Sequence, residues 1–171
     1  KSDTQFVLGS GPSINKINFW DKIRENDSIG FNFFLIHNFI PKFYLIEPTY
    51  IEIYKRLFLN QLKLIKLKKK YLSETNLFIN RMASYKILEK FLKKNKIDFK
   101  LVTSFDMQSE NETILKENLS SKALNLASKF FLSGQGCASL ERIVLSSYFA
   151  GYKKIILCGI DLNNADYFYF Q

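Results

Sequence analysis

The chain has 171 residues, a net charge of +9, 47% hydrophobic and 24% charged residues. Its length suits one domain with little left over, and its composition excludes a disordered or collagen-like chain. Two Cys and one His exclude a disulfide framework or a histidine-built metal centre within it, while the excess of Lys and Arg points to an anionic partner: a nucleotide, a nucleic acid or a membrane surface.

Taken in order, the pattern alternates strands and helices. Gln5–Gly9 reads as an apolar strand. Gly9-Ser10-Gly11-Pro12-Ser13 reads as a turn opening a helix over Ile14–Arg24, with Ile17, Trp20 and either Ile23 or Arg24 on its inner face. Ser28–Asn32 and Lys42–Ile46 read as the next two strands. A helix is expected from about Tyr50 to Tyr71, with Tyr54, Phe58, Leu62 and Ile65 aligned. Asn76–Asn80 is a strand, Ser84–Asn95 a helix, and Asp98–Thr103 a strand. Ser104–Lys122 is polar and reads as a loop or insertion. Gly134–Ala150 is expected to be a helix with Cys137, Leu140, Val144 and Tyr148 in register. Lys154–Cys158 is a last apolar strand. This alternation predicts one α/β domain over the whole chain, a mostly parallel, Rossmann-like sheet with helices on both faces. Ligands of such sheets sit at the carboxyl ends of the strands.

Several residues stand where chemistry is expected. The Gly9–Ser13 turn follows a strand. Its glycines let a ligand approach the backbone, Pro12 suits a first helical position, and amides there can hold a phosphate or carboxylate. It is not the dinucleotide fingerprint, because Ile14 stands where a third Gly would fall. Asn32 ends the second strand and can read a base or sugar edge, or simply make a turn. Glu47-Pro48-Thr49 ends the third. Glu47 reads as an acid, base or hydroxyl acceptor, with an ordinary surface carboxylate as the alternative. Ser133-Gly134-Gln135-Gly136 is a second glycine-rich turn at an expected helix start. Asp161 ends the last strand, either binding ligand or anchoring a loop. His37 lies in an apolar segment, where a lone His is usually structural, with a catalytic base as the alternative. The basic run Lys63–Lys70 reads as a solvated helix face, with a membrane-facing or acceptor-facing patch as the alternative.

Val7-Leu8-Gly9-Ser10-Gly11-Pro12-Ser13, Gly30-Phe31-Asn32, Ser133-Gly134 and the block Ala150–Asp161 together resemble the bacterial sialyltransferases of glycosyltransferase family 42. The last block, Gly-Tyr-Lys, an apolar strand and Gly-Ile-Asp, carries most of the likeness, and residues from about 50 to 125 match poorly. The Gly-Pro-Ser opening is also similar to that of surface-polysaccharide and flagellin glycosylation proteins and of a pterin pyrophosphokinase-like family. The resemblance implies nucleotide contacts from Gly9, Ser10, Gly11, Pro12, Ser13, Asn32 and Asp161. It implies donor-sugar contacts from Glu47, Thr49, Ser133, Gly134 and Gln135. Tyr169 matches one of two Tyr that hold the leaving phosphate; Asn163 stands at the other position, with Tyr167 nearby. The family has Asn where Ser10 stands and Asn where Glu47 stands. Glu47 would oppose the carboxylate of a sialic acid, which leaves a different donor sugar open.

The function the resemblance implies is inverting, metal-independent transfer of sialic acid or a related acidic sugar. The donor would be a cytidine-monophosphate (CMP)-activated sugar and the acceptor a surface glycan such as lipopolysaccharide. No cofactor, metal or nucleic-acid partner is implied; a homo-oligomer and a peripheral membrane contact are. The family's general base is a His in a lid well downstream of Gly-Ile-Asp. The chain stops at Gln171 and does not open with Met, so it reads as a fragment without that lid and without appreciable transfer activity. The polar opening and the lack of an apolar run of about 18 residues set the expectation of a cytoplasmic location. Two other functions remain open: a nucleotide-binding polysaccharide-assembly module without catalysis, and a pterin pyrophosphokinase-like enzyme.

Overall fold

The computed structural model describes residues 2–48, 51–81, 84–102, 104–107, 131–134 and 139–161, and for residues 51–53, 104–107 and 131–134 the backbone alone. Thr49, Gln135, Cys137, Asn163, Tyr167 and Tyr169 lie outside the described residues.

Six strands form one sheet: β1 (Thr4–Leu8), β2 (Asp27–Phe31), β3 (Phe43–Ile46), β4 (Asn76–Asn80), β5 (Lys100–Val102) and β8 (Lys154–Cys158). Their order is β5-β4-β3-β2-β1-β8, and every neighbouring pair is parallel. The expected α/β class is therefore correct. All five residues of β2 are buried, as a central parallel strand requires. Alternate residues of β1 point to opposite faces. Phe6 and Leu8 pack with Ile23 of α1 (Trp20–Arg24), Ile65 of α2 (Ile51–Leu67), Leu72 of α3 (Lys69–Ser73), and Leu88 and Leu92 of α4 (Tyr85–Lys94). Val7 packs instead with Ile143 and Leu140 of α5 (Ser139–Phe149). Among the described residues no helix is long and apolar enough to cross a membrane.

The strand order fixes where a ligand could sit. The chain builds β1 to β5 in one direction, then returns to place β8 on the other side of β1. The strand order reverses between β1 and β8, and in open α/β sheets ligands bind at the carboxyl ends of the strands beside such a reversal.

Several elements differ from the sequence expectation. The segment after the first turn is a 3-10 helix over Pro12–Lys16 followed by the separate α1; Ile23, not Arg24, is the buried residue of the pair. Helix α2 is broken at Tyr54 (φ −121°, ψ 41°), and Tyr54 is exposed while Phe58 and Ile65 are buried. Ser104–Met107 is not irregular but a strand, β6, pairing in parallel with β7 (Phe131–Gly134). The polar-apolar alternation Ser-Phe-Asp-Met carries that signal. Ser133 and Gly134 consequently end a strand rather than begin a helix, and α5 starts at Ser139. Its inner face carries Ile143 and Ser147, with Tyr148 exposed, one residue out of phase with the expected stripe.

Candidate functional site at the carboxyl edge

The Gly9–Ser13 turn leaves the end of β1 and packs directly on the segment that leaves β8. The Gly9 amide donates to Cys158 O and the Gly11 amide to Gly159 O, both at 2.8 Å. The two chain segments approach so closely that side chains do not fit. A Cβ on Gly9 would stand 2.5 Å from the Gly159 oxygen, and one on Gly11 2.9 Å from it and closer still to the Asp161 carboxylate. The glycines here serve close approach of two backbones. The Ser13 amide donates to Asp161 Oδ2 at 2.9 Å, so Asp161 anchors the turn. Three of the turn amides expected to meet a ligand, those of Gly9, Gly11 and Ser13, are thus occupied by the chain itself. The Ser10 hydroxyl, in contrast, is buried without a hydrogen-bond partner among the described residues. Such a group normally has one.

Beside this turn, β2, β3 and β4 each end in a polar residue: Asn32, Glu47 and Asn80. Asn32 follows β2 in the left-handed region (φ 52°), which Asn tolerates better than most residues. The fully buried Tyr44 holds it there: the Leu35 amide donates to the Tyr44 hydroxyl, which donates to Asn32 O, each at 2.7 Å. Burial pushes the pKa of that hydroxyl well above its ordinary value, so it remains a donor.

Glu47 is not a surface carboxylate. Its side chain is 10% exposed and pairs with Arg142, 11% exposed, at 2.7 Å. Asn80 donates to the same oxygen at 2.9 Å, and the Ser139 hydroxyl donates to the other. Ser139 Oγ is also 3.3 Å from the Asn32 side-chain oxygen. A hydroxyl has a single proton. With that proton on Glu47, the Asn32 amide is better turned so that its nitrogen donates to Ser139, leaving its oxygen outward. The first turn of α5 is thereby fastened across the ends of β2, β3 and β4. A buried charge must be paired and hydrogen-bonded, and Glu47 has both.

The structure brings Gly9, Ser10, Gly11, Pro12, Ser13 and Asp161 together at the switch point, and Asn32 and Glu47 together through Ser139. The backbone of Ser133 and Gly134 lies in the separate β6–β7 pair. Arg142, Ser139 and Asn80 did not stand out in the sequence. The available signal was an i, i+3 Ser-Arg pair on one side of a helix start, and polar residues closing two successive apolar strands. His37 is held elsewhere. It stacks between Trp20 and Phe34 at 4.8 and 5.1 Å, and its Nδ1 accepts from the Phe39 amide at 2.9 Å. Burial, with Lys68 adding to it, lowers its pKa.

No family model, curated protein or solved structure matches the chain.

Proposed function

We propose that the carboxyl edge binds a nucleotide-activated sugar, and that the domain belongs to a glycosyltransferase using a CMP-linked acidic sugar. The observation that carries this reading is the glycine turn at the β1–β8 switch point, with a buried Ser10 hydroxyl that has no partner among the described residues and an exposed Asn32 on the neighbouring strand end. The exposed Asn32 side chain offers a polar group to a nucleotide at this edge, and the buried Ser10 hydroxyl would have to turn outward to add a second. The cytidine and the sugar come from the resemblance of Gly9–Ser13, Gly30–Asn32 and Ala150–Asp161 to the sialyltransferases.

The Glu47–Arg142 pair bears on the donor. An isolated Glu47 would repel the carboxylate of an acidic sugar. Paired with Arg142 and accepting from Asn80 and Ser139, its charge is offset, so an acidic donor is compatible with this edge. In the reaction an acceptor hydroxyl would lose its proton to a base and attack the anomeric carbon. CMP would depart, taking the electrons of its bond to the sugar, and hydroxyl donors would stabilise the charge developing on its phosphate. Tyr167 and Tyr169 are the proposed donors, on the resemblance alone.

Titration calorimetry with CMP, AMP and GMP, with and without Mg2+, tests the reading. CMP should bind most tightly, and without the metal. Equal affinities, or a strict Mg2+ requirement, would favour the pyrophosphokinase-like alternative.

A further inference from the structure

Between Tyr54 and Ser73 the sequence has seven basic residues and no acidic one. In the structure Lys55, Arg56, Lys63, Lys66, Lys69 and Lys70 are exposed. None of them forms an ion pair among the described residues. Arg56, Asn60, Lys63 and Leu67 follow one another at spacings of four, three and four, which sets them along one outward stripe of α2. The opposite stripe, Phe58 and Ile65, is buried, with Ile65 in the core that packs on the sheet. Among these cations stand large apolar side chains that face water: Leu67 at 83%, Tyr54 at 54%, Leu59 at 45% and Leu57 at 37% exposure. Tyr54, Lys55, Arg56, Leu57 and Asn60 line a shallow depression at the break in the helix.

The position of the helix matters as well. The Gln61 side chain donates to Glu47 O, the last residue level with β3, at 3.4 Å. The part of α2 before Gln61 therefore reaches beyond the carboxyl edge of the sheet, at the end where the candidate site lies.

We propose that the outer face of α2 and α3 docks on an anionic membrane surface, with Leu59 and Leu67 entering the headgroup–acyl boundary and the Lys and Arg side chains meeting lipid phosphates. Unpaired basic residues explain attraction to any polyanion. The exposed leucines select among polyanions: aliphatic side chains gain by entering acyl chains, whereas single-stranded nucleic acids are held by aromatic platforms on which bases stack. The depression at the break, lined by Tyr54, Lys55 and Arg56, presents two cations to a headgroup phosphate. Docking in this way would set the carboxyl edge close to the bilayer. The docking surface stands on α2 and α3 alone and does not rest on the reaction proposed above.

Co-sedimentation with vesicles tests this, using phosphatidylcholine alone and phosphatidylcholine with about one-third phosphatidylserine. The chain should pellet with the anionic vesicles, not with the neutral ones, and should be released by high salt. A Lys63→Glu, Lys66→Glu, Lys70→Glu variant should lose at least about 100-fold in apparent affinity, on the scale of about fivefold per basic residue near an anionic leaflet. Leu67→Ser keeps every charge and should weaken binding about three- to tenfold. All four sites are exposed, so circular dichroism should show both variants folded. Three results would overturn the proposal: no binding to anionic vesicles, binding unaffected by Leu67→Ser, or tighter binding to single-stranded RNA than to vesicles.

Discussion

The two edges of the central sheet each bury one carboxylate, and they do so differently. At the amino edge, Asp27 accepts from Tyr152 at 2.7 Å and pairs with Lys42. The Lys42 side chain is 53% exposed, so this pair touches solvent. At the carboxyl edge, Glu47 and Arg142 are both nearly enclosed. Asp27 begins β2, Lys42 precedes β3 and Tyr152 precedes β8, so their pairing ties strand starts together. Glu47 is tied instead to the first turn of a helix and stands beside the switch point. A half-solvated pair costs little to form and contributes modestly. An enclosed pair costs more to bury and is retained where geometry must be unique. The contrast separates an edge that ties strand starts together from the edge at which ligand binding is proposed.

The largest effect should come from breaking the enclosed pair. Glu47→Ala leaves Arg142 buried without its carboxylate and should cost about 3–5 kcal/mol of stability in a denaturant titration. The double variant Glu47→Met, Arg142→Met should lose far less, since an apolar replacement removes both desolvation costs. If the double variant is as unstable as the single, the pair is not the unit described.

Gly9→Ala should cost about 1–3 kcal/mol, because the new Cβ drives the turn off Gly159 and the core cannot give way. Nucleotide binding should fall with it. Asp27→Asn should cost about 1–2 kcal/mol, as a charged hydrogen-bond acceptor is replaced by a neutral one. Nucleotide binding should be unchanged. Equal effects of these two variants on binding would erase the distinction between the edges.

The smallest effect is a pH dependence. Burial lowers the His37 pKa. For Asp27 burial opposes the charge, but the hydrogen bonds from Lys42 and Tyr152 outweigh it and its pKa is also lowered. A group with a lowered folded-state pKa takes up its proton later than the unfolded chain does. Its stabilisation is complete above the unfolded value and is lost as the pH falls through the folded one. The His37 contribution should therefore fade below about 6.5, the unfolded value, and that of Asp27 only below about 3.9. His37→Asn should remove the first step and leave the second, as read by melting temperature against pH.

Much of the sheet was legible in the sequence because its parallel strands are short apolar runs, even in β8, which lies at the edge of the sheet and is only partly buried. Asn76–Asn80 and Lys154–Cys158 coincide with the expectation residue for residue. The Gly9–Ser13 turn was legible because glycine and proline punctuate the chain locally. The partnership of Glu47 was not. Arg142 lies 95 residues further on, and only the folded topology brings the two together. The start of α5 was misplaced for a related reason: Gly134 carries a turn signal, but pairing of β7 with β6 overrides it. The stripe Cys137, Leu140, Val144 and Tyr148 misled because Ser147, a polar residue, faces inward and satisfies its hydroxyl on Ile143 O at 2.6 Å.

The central claim is that ligand chemistry belongs to the carboxyl edge. Backbone amide shifts followed by NMR during titration with CMP test it most directly. The largest changes should fall on Gly9, Ser10, Gly11, Asn32 and Asp161, with Asp27, Lys42 and Tyr152 at the other edge unmoved. Shifts concentrated at Asp27, Lys42 and Tyr152, with the glycine turn silent, would contradict the account.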